Sequence, residues 1–289
     1  MKLWACLLIG FLFAPVAAAE SIRVWPGLAP GEATDLVGEK QPPIASEQPT
    51  VTRLVKISAP TLTVHLASKP NGTGVLILPG GGFSKVVPDK EGTEAATWLN
   101  SLGISAFVLS YRTQEDRNLP GWIEPLQDAQ RAMSLIRFNS AMWQLNPKRI
   151  GLLGFSAGGQ VAARLLSTPD KLSYERHDAV DDISNRPDFA LLIYPWNMFD
   201  KQRNGLAEGI QIPKNCPSTF LVHTDDDQSS SLGTVLFYAG LKRLAIPAEL
   251  HVYGNGGHGY GLREVAGSQI ATWPDHAAHW LRSMKFVGK

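Results

Sequence analysis

Residues 149 to 165 constrain the architecture of this chain more than any other stretch. From Ile150 to Phe155 no residue is polar, the pattern of a buried strand. From Ser156 to Leu165 the residues are mostly small and helix-forming. Between the two runs lies Gly154-Phe155-Ser156-Ala157-Gly158. A strand that passes into a helix over so few residues must turn very tightly. A side chain at position 154 or 158 would strike the neighbouring strand and helix, so glycine suits both. Ser156 is left at the apex, with its hydroxyl exposed above the sheet. It also opens a helix, whose free amides and dipole favour developing negative charge. The plainer reading is an ordinary strand-to-helix turn with a buried serine. Two partner motifs further along the chain argue against it.

The rest of the chain fits one large fold around that unit. At 289 residues, with 44% hydrophobic and 18% charged, it can bury a sizeable single core. A net charge of +1 gives no support for nucleic acid or an anionic membrane as partner. Residues 1–19 read as a signal peptide. Lys2 supplies the positive end, residues 3–16 a short apolar core, and Ala17-Ala18-Ala19 the small residues of a cleavage site before Glu20. The run is short for a spanning helix, so an uncleaved anchor is the lesser alternative. The expected address is secreted or periplasmic. Cys6 would leave with the signal, and Cys216 alone cannot form an internal disulfide; it reads as a small core residue.

Residues 20–50 are rich in Pro, Gly and Glu and read as an extended strap across the surface. Residues 51–289 read as a single domain, expected to be the catalytic one if the partner motifs below hold. Residues 51–57 and 61–67 read as a strand pair around Ser58-Ala59-Pro60, with His65 on the polar face of the second. Residues 74–79, 104–109, 188–194, 217–223 and 247–253 read as further strands. Helices are expected over 91–102, 124–142 and 231–244, and from near Pro274, with Ala277, Trp280, Leu281 and Met284 inward. Residues 111–123 and 195–214 read as loops. Strand and helix alternate, so the expected fold class is α/β: a mostly parallel sheet of about eight strands with helices on both faces.

A serine hydroxyl needs a general base within hydrogen-bond reach, and the base needs a carboxylate to hold its tautomer. The base candidate is His258, in the glycine-rich run Gly256-Gly257-His258-Gly259-Tyr260-Gly261 after the last expected strand. His276 and His279, in the last expected helix, read as surface or packing residues, while His251 lies within a strand and His177 in a charged loop. The acid is sought in Asp225-Asp226-Asp227, at the end of the strand before; Asp227 is chosen, with Asp226 the close alternative. The spacing of the three aspartates fits no calcium cage, and no metal site is expected. Oxyanion donors are expected from the Gly81 and Gly82 amides of Pro79-Gly80-Gly81-Gly82-Phe83, with Phe83 a further candidate, and from Ala157 just after the serine. That glycine run lacks the ending of a phosphate loop and the spacing of a dinucleotide fingerprint, so no cofactor is expected. Trp122, Trp196 and Phe83 are candidates for contacting a sugar ring; each tryptophan reads equally well as a loop anchor. Trp98, Trp143 and Trp280 read as core.

These motifs resemble the α/β-hydrolase superfamily, and within it the secreted carbohydrate-esterase-like group that includes acetylxylan esterase-type enzymes. The resemblance rests on residues 78–83, 97–103, 109–112, 125–132, the 154–158 turn and 223–227, and covers roughly residues 50–285. It implies ester hydrolysis by Ser156, Asp227 and His258, removing acetyl groups from a plant-type polysaccharide or its oligomers. Two departures stand out. Pro79 occupies a place where hormone-sensitive-lipase-type esterases carry histidine. Residues 227–230 read Asp-Gln-Ser-Ser where relatives show valine and proline, which leaves Asp226 and Asp227 open. Other readings are a hydrolase of longer lipid esters or peptides, for which neither a lid nor a propeller domain is visible, and a non-catalytic binding member of the fold.

Overall fold

A computed structural model describes residues 20–113 and 119–288. The signal-peptide reading of residues 1–19 lies outside the described residues. In chain order the elements are β1 (Glu20–Arg23), β2 (Val37–Lys40), β3 (Leu54–Ile57), β4 (Thr61–His65), β5 (Gly74–Leu78), α1 (Glu94–Ser101), β6 (Ser105–Ser110), α2 (Ile123–Phe138), β7 (Ile150–Phe155), α3 (Ser156–Ser167), β8 (Phe189–Ile193), β9 (Phe199–Asp200), β10 (Gly205–Leu206), β11 (Ser218–Thr224), α4 (Leu232–Arg243), β12 (Ala248–Tyr253) and α5 (Trp273–Ser283).

The continuous apolar runs lie where a sheet is covered on both faces. β5, β6, β7 and β8 are buried at every position. The sheet runs β1-β4-β6-β5-β7-β8-β11-β12. From β6 to β12 all pairings are parallel, whereas β4 runs antiparallel to both β6 and β1. Alternate residues of each central strand feed two separate cores. Leu76, Phe107, Leu152, Leu192 and Leu221 pack under α2, α3 and α4. Val75, Val108, Leu153, Leu191 and Val222 pack under α1 and α5. The alternation follows from the two-residue period of a strand. The expected eight-stranded, mostly parallel sheet with helices on both faces is what the chain forms.

Four local expectations are corrected. β3 and β4 do not pair. Both edges of β4 are taken, by β1 and β6, and β3 pairs instead with β2 in a small separate sheet. The 20–50 strap is not wholly superficial: residues 20–23 form an edge strand, and Trp25 is buried to 3% exposure. Its indole N–H donates to Asp128 at 2.8 Å, which satisfies the ring's polar atom inside the core. The helix expected from residue 91 begins as a π-helical turn, Asp89–Thr93, before α1. The 195–214 loop contains the short β9–β10 pair. Cys216 is buried with a free thiol, and Trp143 and Trp280 are core residues, as read from the sequence. Trp98 is only partly buried and lies edge-on to Trp273.

Candidate active site

β7 hands over to α3 with no intervening loop, and Ser156 is the first residue of the helix. Its φ is +51°, a left-handed conformation that a side chain adopts only at a cost of roughly 1–3 kcal/mol. The surrounding contacts hold it there. A Cβ on Gly158 would sit against the Leu78 carbonyl at the end of β5, so only glycine lets α3 leave this close to the sheet. The Ser156 carbonyl accepts from the Trp196 amide at 2.8 Å, tying the turn to the loop after β8.

The loops after β11 and β12 bring two more side chains to this edge. Ser156 Oγ lies 2.7 Å from His258 Nε2, and His258 Nδ1 lies 2.7 Å from Asp227 Oδ2. Asp227 is buried, and its other oxygen accepts from the Ser229 amide at 2.7 Å. Burial alone would raise its pKa; hydrogen bonds from His223 and His258, with the Ser229 amide, outweigh that and hold the carboxyl at about 2. It is therefore an anion across the neutral range. Asp226 has a different position. Its carboxylate accepts from the Gly257 and Gly256 amides at 2.8 and 3.2 Å and so clamps the backbone of the histidine loop. Among the described residues no group of His, Cys, Asp or Glu is arranged to hold a metal ion.

The glycine run after β5 passes directly over the serine. A Cβ on Gly80 would come within 2.7 Å of Ser156 Cβ and 2.6 Å of Glu91 Oε2, so this backbone must stay bare. Gly81, Gly82 and Phe83 follow at φ +138°, +65° and +66°. Beneath them sits a carboxyl that the sequence reading passed over. Glu91, 4% exposed, accepts from the Gly80 amide at 2.6 Å and from the Tyr194 hydroxyl at 2.8 Å. The Tyr194 oxygen in turn accepts from the Gly261 amide at 2.9 Å, and the ring lies edge-on to His258. One buried network therefore joins the glycine run to the histidine loop. Burial raises the Glu91 pKa, against the hydrogen bonds from Tyr194 and Gly80. A second missed residue is His223, fully buried, with Nε2 3.2 Å from Asp227 Oδ2 and Nδ1 2.8 Å from Thr234 Oγ1. It lies on β11 in an apolar run and reads as core until its partner is known.

Ser156 and His258 open into a cleft of about 360 Å³, lined also by Gly81, Gly82, Trp196, Gln228, Glu47, Arg53, Lys85 and Lys90. Trp196 lies edge-on to His258 with centroids 5.0 Å apart. Trp122 and Phe83 are not among the lining residues. Trp122 is stacked under the Arg164 guanidinium, 3.8 Å from its ring centroid, and both aromatic rings pack against the core. Ala157 is fully buried, next in chain to Ser156 at the start of α3. Chemically, a hydroxyl, an imidazole and a carboxylate in series can transfer the serine proton as the oxygen attacks a carbonyl.

Comparison with known proteins agrees with this fold. A family model described as BD-FAE matches residues 63–193, from β4 through β8. The acetylxylan esterase of Xylanibacter ruminicola is 28% identical over 226 residues, 70% of this chain and 44% of that protein. Endo-1,4-beta-xylanase B of Butyrivibrio fibrisolvens is 30% identical over 204 residues, 64% of this chain and 32% of that one. The chain thus spans less than half the length of these curated relatives. An acetyl ester-xyloside bifunctional hydrolase from Caldicellulosiruptor lactoaceticus superposes with a TM-score of 0.70 at 29% identity, covering 93% of this chain and 98% of that one. The sheet order, the serine turn between β7 and α3 and these similarities together mean that the chain has the α/β-hydrolase fold and is similar to acetylxylan esterase-like proteins.

Proposed function

We propose that this protein is a serine esterase that removes short acyl groups, acetyl above all, from carbohydrate. The observation that carries the reading is the pair of 2.7 Å contacts linking Ser156, His258 and Asp227 in series. His258 takes the Ser156 proton as Oγ attacks the ester carbonyl. The oxyanion is held by the Ala157 amide and the amides of Gly81 and Gly82. His258 then returns the proton to the departing sugar hydroxyl, leaving an acyl-serine. A water deprotonated by His258 releases the acid and restores the enzyme. The names of the relatives support the carbohydrate side of the reading, since one is an acetylxylan esterase and another an acetyl ester-xyloside hydrolase. Trp196 offers the sugar an aromatic face beside His258. The charge pattern of residues 1–19 supports a secreted or periplasmic address.

Ser156→Ala is the direct test. Turnover of an aryl acetate should fall to background while the melting temperature stays nearly unchanged; full activity would refute the reading. Acyl-chain profiling separates the substrate class, since preference for octanoyl over acetyl esters would point to a lipase instead.

A further inference from the structure

The walls of the cleft carry more positive charge than ester hydrolysis requires. Arg53, Lys85 and Lys90 line it, against the acids Glu47 and Glu91. Both acids are already engaged. Glu47 holds Arg53 through two bonds of 2.6 and 2.8 Å, and Glu91 is turned under the glycine run toward Gly80 and Tyr194. The π-helical turn at Asp89–Thr93 separates the two neighbours, sending Glu91 into the interior and Lys90 to the cleft wall. Along that wall the Lys90 stem runs beside Gly261, where a Cβ would meet its Cγ at 3.3 Å. Neither the Lys85 nor the Lys90 ammonium has a hydrogen-bond or ion-pair partner among the described residues. Lys90 is also partly withdrawn from water, and that burial lowers its pKa. The carboxyls of Glu91, Glu47 and Glu94 lie near enough to oppose that shift, but each is bonded elsewhere, and an anion brought by the substrate into contact with the ammonium would offset its desolvation more fully.

Resting on the esterase reading above, we propose that the natural substrate is an ester bearing a carboxylate, as an O-acetylated uronic acid does, and that Lys90 binds that carboxylate. Lys85, which lines the same cleft, adds a positive field that draws the anion in.

The test compares matched substrates on the full chain. One pair is an O-acetylated methyl galacturonoside and the same acetylated methyl galactoside, which differ by a carboxylate on the alcohol side. The other is mono-para-nitrophenyl glutarate and para-nitrophenyl valerate, which place the charge on the acyl side. In one pair the anionic member should show a kcat/KM roughly tenfold higher, the scale of one charge-assisted hydrogen bond. The favoured pair identifies which side of the ester faces Lys90. Added salt should erode the advantage. Lys90→Met should cut the ratio to about twofold or less through KM, and Lys90→Arg, which keeps the charge, should retain most of it. Equal or better use of the neutral member in both pairs overturns the proposal, and so does a preference that survives Lys90→Met. Loss of para-nitrophenyl acetate hydrolysis by the unaltered protein would instead overturn the esterase reading on which it rests.

Discussion

Glu91 shows at the scale of one residue why a buried acid is worth keeping. Among the described residues no cation is bonded to its carboxyl, which is spent on the Gly80 amide and the Tyr194 hydroxyl. Glu91→Gln keeps the shape and one acceptor but loses the second, so the glycine run should relax away from the position in which it is proposed to hold the oxyanion. We expect kcat to fall on the order of tenfold with KM little changed, less than the loss of a whole donor. Stability should move the other way. Burial raises the folded-state pKa of Glu91 above its ordinary 4.5. Below 4.5 the acid is neutral in both states and costs nothing. As pH rises from 4.5 toward the folded value, the unfolded chain ionises first, and stability is lost. Glutamine has no such proton. Melting curves of the two proteins across that window should diverge in favour of the variant; parallel curves would show that Glu91 is not held neutral.

At the scale of elements, the loops that follow β11 and β12 divide the labour between adjacent aspartates. Asp227 faces His258, while Asp226 grips the loop that carries it. Asp227→Asn should lower kcat by about 10³–10⁴, because the imidazole loses the anion that fixes its tautomer. Asp226→Ala should cost roughly tenfold in kcat, because the histidine remains but its loop is less constrained. Equal losses in the two variants would contradict this division. The sequence narrowed the acid to a strand end but left two neighbours open, because three consecutive aspartates share the same local preferences. The choice depends on where the next loop lies. Likewise Trp122 and Trp196 both precede or follow expected elements at one edge, yet only Trp196 reaches the cleft. Arg164, on a different element, covers the Trp122 face.

At the scale of the whole molecule, the N-terminal segment is part of the fold. β1 closes one edge of the sheet, Trp25 enters the core beside Tyr174, and Arg112 joins Asp128 to the Pro30 carbonyl. Trp25→Ala should cost about 3–5 kcal/mol, roughly 10 °C in melting temperature for a chain this size, with little change in kcat. A loss of only a degree or two would mean that the segment is as superficial as its composition suggests. That composition, rich in Pro and Gly, concealed one buried tryptophan, since burial depends on a cavity built by α2 and not on neighbours in sequence. What the sequence determined alone was local or periodic: the apolar runs that become central strands, the helix spacing, the tight glycine turn at Ser156 and the order of serine, acid and histidine. Those follow from backbone sterics and hydrophobic repeat. Tertiary structure alone decided which strands pair at the β4 edge, which aspartate meets the imidazole, and which buried acid joins the two loops. Each of those depends on distance between residues far apart in the chain, and local preferences carry no record of that distance.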